Sequence, residues 1–283
     1  MLKTNLLSIL LVTTIFPAVV NAQSKNNGYK LVWSDEFNTP GAPNPKNWTY
    51  EKGFVRNNEL QWYITQENAV CKNGKLIIEA RRDTTANPNY EQGSKDWRKA
   101  RSTKGYTSAS LKTSGLQSWQ YGRFEMKARI DTAVGLWPAF WTLGVNGQWP
   151  SCGEIDIMEY YQEKILANIA CGTLTRYKAK WFSNTKQISS FADKQWSSKF
   201  HVWRMDWDEQ QISLFVDDLL LTKVSLDELN NANGNPPNPF KQPHYILINL
   251  ALGGDNGGDP SKTSFPRKYE IDYVRVYQKI QKN

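Results

Sequence analysis

Gly153-Glu154-Ile155-Asp156-Ile157-Met158-Glu159-Tyr160 sets three carboxylates into one apolar run. Read as a β-strand with strict alternation, it places Glu154, Asp156 and Met158 on one face and Glu159 on the other. Either the acids or the aliphatic side chains then face the wrong way. One extra residue at Ile157-Met158, a β-bulge, restores the parity and turns all three acids to one side. Bulges are common beside functional sites because they re-aim a side chain in this manner.

Once bulged, Glu154 and Glu159 lie about four strand steps apart, roughly 13 Å between Cα atoms at ~3.3 Å per step. Two Glu side chains leaning together over a concave sheet can close this to the ~5–5.5 Å of a pair that cleaves glycosidic bonds with retention. Such a pair needs one ionised and one protonated carboxyl. Asp156 between them can hydrogen-bond the first and raise a neighbour's pKa by its charge. The same three acids also fit an exposed acidic edge strand, or a calcium site built from hard oxygen ligands. Spacing alone leaves these readings level.

The flanks favour the first. Gly135-Leu136-Trp137-Pro138-Ala139-Phe140-Trp141 and Trp149-Pro150 bring three Trp next to the acids in sequence. Aromatic rings can stack on the apolar faces of sugars while polar neighbours bind the hydroxyls. Trp137 and Trp141, four apart on one strand face, would serve equally as core. With Trp149 added, a sugar platform is the better account of all three.

Working outward, strand patterns dominate. Leu31 to Ser34, Gly74 to Arg81, Tyr121 to Ile130 and Phe200 to Trp207 alternate apolar and polar positions. Ile212 to Leu221 reads as a hairpin turning at Asp217-Asp218, and Tyr245 to Leu252 and Tyr269 to Tyr277 complete the set. Helical signal is confined to a short turn at Ser225 to Asn230, capped by Ser225. Many strands separated by Gly-, Pro- and Asn-rich loops predict an all-β antiparallel sandwich or barrel. Three strand-poor stretches are expected at Asp83–Gly105, Asn230–Pro243 and Gly253–Pro266. Residues 23–283 read as a single domain.

The chain's 283 residues include 12 Trp, 13 Tyr and 11 Phe, and that many Trp implies that some line a surface. At the N-terminus, Lys3 precedes the apolar run Leu6 to Phe16, and Val20-Asn21-Ala22 offers a cleavage site. Residues 1–22 therefore read as an export signal, too short in its apolar part to span a bilayer. A secreted or periplasmic protein without a membrane span is expected. The net charge of +8 comes without a nucleic-acid recognition motif, so a solvated basic face is the better reading and no nucleic-acid partner is expected. Two His and no Cys-x-x-Cys pair argue against catalytic zinc. Cys152 and Cys171 either pair across neighbouring strands or remain buried thiols beside Cys71.

The segments Leu136-Trp137-Pro138-Ala139-Phe140-Trp141 and Trp149-Pro150-Ser151-Cys152-Gly153 to Glu159 together resemble the signature of family 16 glycoside hydrolases, in the bulged form of their laminarinase-like members. Trp33 to Phe37, Asn57 to Gln61, Tyr121 to Glu125, Phe200 to Trp203, Asn249 to Gly254 and Asp272 to Tyr277 extend the likeness over most of the chain. The resemblance implies a concanavalin-like β-jelly roll sandwich of two curved antiparallel sheets with a substrate cleft on the concave face. By motif position it implies Glu154 as nucleophile, Asp156 as its electrostatic helper and Glu159 as general acid/base. Trp137, Trp141 and Trp149 would line subsites, with Asn57 and Arg81 where relatives often contact sugar. His201 matches a position near the cleft, although a hydrogen-bonded core His fits the pattern as well. No cofactor is implied for catalysis. A structural calcium is, on the backbone carbonyls of Glu36 and Gly74 and on Asp272, stapling distant parts of the chain.

One departure stands out. Ser108-Ala109-Ser110 replaces the Ser-Ala-Arg of many such relatives, and the neighbouring stretch Asp83–Gly105 carries Trp97 and several cations. The leading expectation is a monomeric, retaining endo-β-glucanase acting on β-1,3-glucan (laminarin-like) or mixed-linkage β-1,3-1,4-glucan. The alternatives are a non-catalytic β-glucan-binding protein on the same fold, or a hydrolase of agar, carrageenan or xyloglucan.

Overall fold

The computed structural model describes residues 28–280. The proposed export signal at residues 1–22 lies outside them. Among the described residues no helix is long and apolar enough to cross a membrane.

The chain opens with strands β1 (Tyr29–Asp35), β2 (Thr49–Tyr50), β3 (Gln61–Tyr63), β4 (Ala69–Cys71) and β5 (Leu76–Ala86). A four-residue helix α1 (Trp97–Ala100) precedes β6 (Thr103–Ser108), β7 (Ser110–Lys112) and β8 (Gly122–Arg129). The middle of the chain forms β9 (Leu136–Gly144), β10 (Glu154–Tyr161), β11 (Lys164–Gly172) and β12 (Ala179–Gln187). There follow β13 (His201–Trp207), β14 (Gln211–Val216), β15 (Leu219–Ser225), β16 (His244–Leu252), the short helix α2 (Gly254–Gly257) and β17 (Arg267–Lys279).

These strands make two sheets. One runs β15-β14-β13-β8-β17-β5-β6-β3, with β1 beside β17 and β4 beside β5; the other runs β12-β11-β10-β9-β16-β7-β2. Every pairing is antiparallel except β3 with β6. Alternating side chains from both sheets meet in one core: Phe124, Met126, Trp203, Met205 and Trp207 from the first, Leu136, Phe140, Ile155, Ile246 and Ile248 from the second. This is the β-jelly roll that the resemblance implies, and of the sandwich and barrel that the strand pattern allows it is the sandwich.

The register of the second sheet fixes what lies on its other face. One row across the strands reads Lys112, Leu247, Trp141, Asp156, Asn168 and Ser183. The row beside Glu154 reads Tyr245, Leu143, Glu154, Ala170 and Trp181. Residues one step along each strand point into the core instead, so both rows face away from it.

The turn at Asp217-Asp218 and the Ser225 cap stand where the sequence puts them. The stretch Asp83–Gly105 is less strand-poor than its composition implies, because β5 runs on to Ala86 and β6 begins at Thr103. Polar residues there extend a two-stranded ribbon whose faces are both solvated, and such a ribbon has no apolar alternation to betray it. All three cysteines are free and buried.

Candidate active site

β10 lies between β9 and β11, so the acids stand on a central strand and the edge-strand reading falls away. Its pairing with β9 shifts register between Asp156 and Met158, and its pairing with β11 shifts between Asp156 and Glu159. That is the bulge at Ile157-Met158. Ile155, Ile157, Met158 and Tyr160 all enter the core, while Glu154, Asp156 and Glu159 line a cleft of about 690 Å³ on the opposite side.

Each acid is held by specific neighbours. The Trp137 indole Nε1 donates to Glu159 Oε1 at 2.9 Å, and the Trp149 indole donates to Glu154 Oε2. Asn168 Nδ2, from β11, donates to Asp156 Oδ2 at 3.3 Å and to Glu159 Oε2 at 3.2 Å. Asp156 hydrogen-bonds Glu154 as well. A continuous network thus joins the three carboxyls.

Burial raises the pKa of all three, because a charged carboxylate loses its water. Asp156, 1% exposed, is lifted well above the carboxylate range by burial and then by the charges of Glu159 and Glu154. The shift favours the protonated form, from which Asp156 can donate a hydrogen bond to Glu154. Glu159 is pushed up to about 7 by burial, against the Trp137 hydrogen bond and with help from the Glu154 charge. Burial also lifts Glu154, but the Trp149 indole, the Arg56 charge and the Asp156 hydrogen bond oppose the rise. The ionised form is thus best supported at Glu154, and a carboxyl that can give and retake a proton near neutrality sits at Glu159.

Of the residues expected from sequence, Trp137, Trp141, Trp149 and Asn57 line the cleft with the acids. Trp141 donates to Asn249 Oδ1 at 2.7 Å and is 7% exposed, so it is floor and core together. Arg81 is not brought to the cleft. It lies on β5 in the other sheet, on the strand face opposite the buried Ile78 and Ala80, with its Nε 2.6 Å from Glu79 Oε1. His201 is not brought there either: Nδ1 meets Asp217 Oδ2 at 2.7 Å, Nε2 meets the Trp196 carbonyl at 2.8 Å, and the ring stacks on Trp196. Both positions precede or follow cleft segments in sequence, but their strands belong to the sheet across the core.

The cleft also holds residues that the sequence did not single out: Arg56, Asn168, Tyr161, Tyr177 and Trp181. Arg56 bears on the missing Arg at position 110. Its guanidinium lies 5.1 Å over the Trp141 ring and pairs with Glu51, whose other oxygen accepts from Ser110 Oγ at 2.7 Å. The cleft has an arginine after all, supplied from position 56. The stretch Asp83–Gly105 does not line the cleft but braces the segment that does, since Arg98 bonds the Val55 carbonyl and Arg101 those of Asn58 and Glu59.

Among the described residues no group of three His, Cys, Asp or Glu side chains could hold a metal ion. The calcium expected from the resemblance would use carbonyls. Leu76 pairs with Ile271, which makes Gly74 and Asp272 neighbours. The Asp272 carboxylate already holds the Lys127 ammonium at 2.8 Å and the Glu36 carboxylate holds Arg275. The donors are the hard oxygens that calcium takes, with Lys127 as a competitor for Asp272.

A model of the family described as Glycosyl hydrolases family 16 matches residues 56–275. The chain is 36% identical over 267 residues to the beta-glucanase of Rhodothermus marinus, covering 89% of this chain and 86% of that one. The X-ray structure of the laminarinase from Rhodothermus marinus superposes with a TM-score of 0.72 at 35% identity, covering 89% of this chain and 98% of that one. A structure from work on endo-acting O-glycanases, which prominent members of the human gut microbiota express to initiate mucin breakdown, superposes with a TM-score of 0.80 at 34% identity. It covers 89% of this chain and 92% of that one.

Proposed function

The chain belongs to glycosyl hydrolase family 16, and we propose on that premise that it is a retaining endo-β-glucanase whose nucleophile is Glu154 and whose acid/base is Glu159. The substrate is β-1,3-glucan or mixed-linkage β-1,3-1,4-glucan, in keeping with the beta-glucanase and laminarinase it resembles. The observation that carries the assignment is the set of three acids on one face of the bulged β10, with Glu159 at about 7 and Glu154's charge supported by Trp149, Arg56 and Asp156.

Glu154 attacks the anomeric carbon while Glu159 gives its proton to the glycosidic oxygen, and the bond to the leaving sugar breaks. The result is a glycosyl ester on Glu154 and an ionised Glu159. Glu159 then takes a proton from water, the water oxygen attacks the same carbon, and Glu154 leaves as carboxylate. The hydrogen bond from Asp156 steadies Glu154 in its charged state. Trp137 fixes the orientation of Glu159 through the same hydrogen bond that tempers its pKa.

The test is reducing-sugar release from laminarin, barley mixed-linkage glucan, agarose and a mucin O-glycan preparation. Glu154→Gln should lower the rate by ~10⁴ or more with its thermal midpoint retained. Wild-type turnover by that variant would sink the assignment. Mucin O-glycans are in the panel because the higher TM-score, 0.80, belongs to a structure from the O-glycanase work. Activity there and on neither glucan would select that substrate and keep the mechanism. Silence on every polymer would favour a binding protein.

Two further readings belong to the same proposal. Residues 1–22 direct export, which N-terminal sequencing of the mature protein checks. Glu36, Gly74 and Asp272 hold a structural calcium that ties β17 to the N-terminal segments, remote from the acids.

A further inference from the structure

We infer that Trp181, with Tyr177 and Trp149 on the same wall, forms a sugar-binding platform that carries the polysaccharide from the catalytic acids across β11 and β12. The inference deepens the proposed hydrolase reading and rests on it.

The direction of the substrate follows from the acids. Glu154 and Glu159 are spaced along β10, and a retaining pair flanks the scissile bond. The polymer therefore crosses the strands instead of running along them. On one side it passes over β9, β16 and β7, where Trp141, Asn249, Arg56 and Asn57 lie. On the other side only β11 and the edge strand β12 remain.

In the row of Glu154 the β11 residue is Ala170 and the β12 residue is Trp181. At ~4.8 Å per strand, Trp181 stands about 10 Å from Glu154, with only a methyl group on the strand between. All twelve Trp lie among the described residues. The two that are exposed, Trp149 at 38% and Trp181 at 46%, both line this cleft. The other ten are buried or half-buried. An indole left open on an edge strand forgoes apolar burial and invites sheet-to-sheet pairing. A sugar face laid over it recovers that burial.

Tyr177 adds a second ring, fixed before substrate arrives. Arg176 lies 4.7 Å over it and donates to its hydroxyl at 2.8 Å. Trp149 and Tyr177 line both the cleft and the groove beyond it, so the aromatic wall continues past the acids.

The test is steady-state kinetics of Trp181→Ala and Trp181→Phe in the full chain, on laminarin and on a ladder of laminari-oligosaccharides. Trp181→Ala should raise KM on laminarin about tenfold, equivalent to ~1.4 kcal/mol. It should leave kcat within about twofold and spare the shortest oligosaccharide that is hydrolysed. Trp181→Phe should recover most of the loss. An unchanged KM on the polymer, or an equal fall in kcat on long and short substrates, would overturn the platform. If the wild type proves active on another polymer, the same comparison is made there. If it is silent on all, laminarin titration by tryptophan fluorescence decides: equal affinity in wild type and Trp181→Ala refutes the platform independently of catalysis.

Discussion

At the scale of single residues, the chemistry depends on a buried carboxyl kept neutral at a useful pH. Glu159, raised to about 7, must hold its proton to act on the leaving group, so kcat/KM should fall as pH rises past that value. The Trp137 hydrogen bond pulls the pKa down. Trp137→Phe should therefore move the alkaline limb to higher pH, and a limb that stays or moves down would deny Trp137 this role. The same burial costs stability. Folded Glu159 binds a proton more tightly than the unfolded chain does, so the folded state gains from it at low pH. That gain is lost as pH rises from about 4.5 to about 7, worth roughly 3 kcal/mol at ~1.4 kcal/mol per unit. Glu159→Gln should accordingly raise the thermal midpoint at pH 8 and change it little at pH 4. The grouping of the acids was legible because one bulge at Ile157-Met158 restores the parity of the run, and because three Trp flank it in sequence. Arg56 and Asn168 were not, because their roles arise from partners distant in sequence, Trp141 and Glu51 for the one, Asp156 and Glu159 for the other.

At the scale of elements, the β10 bulge is the device that lets one strand serve a core and a cleft. Ile157 and Met158 both turn inward, and Glu159 returns to the side of Glu154. Inserting one Ala after Ile157 gives Glu-Ile-Asp-Ile-Ala-Met-Glu, which alternates without a bulge but sets Glu154 and Glu159 six strand steps apart, two more than the bulged strand or about 7 Å; the expected outcome is a folded protein without activity. Deleting Ile157 keeps the acids on one face, since Glu-Ile-Asp-Met-Glu alternates regularly, so the fold should survive with impaired turnover. An active insertion variant would show that the spacing of the two acids does not govern the site. Parity was readable from sequence because it is local. The placement of Arg81 and His201 was not, since each sits on a strand of the opposite sheet and only the strand order reveals it. The solvated ribbon of β5 and β6 escaped for want of apolar alternation, yet it carries the brace: Arg101 donates to the carbonyls of Asn58 and Glu59. Arg101→Ala should raise KM through looser Asn57 and Arg56, which substrate titration checks against an unchanged pH profile.

At the scale of the whole molecule, two antiparallel sheets give one core and leave a single concave face free for a polymer. The proposed calcium joins chain segments on the far side of that core, so its removal should act on stability and not on chemistry. Chelation is expected to lower the thermal midpoint by a few degrees, of the order that ~1 kcal/mol produces in a domain of this size, with kcat unchanged at assay temperature; an unaltered midpoint would remove the ion from the account. An all-β sandwich or barrel was legible from strand periodicity and turn residues and the jelly roll from the motif resemblance, while the two-sided character of the cleft, polar toward β7 and aromatic toward β12, emerges only from register. Central to all of this is a double displacement by Glu154 and Glu159. Proton NMR of the first-formed reducing end from laminarin tests it most directly. The account predicts that the β anomer appears first and mutarotates afterwards, in the wild type and not in Glu154→Gln. The α anomer appearing first would contradict it.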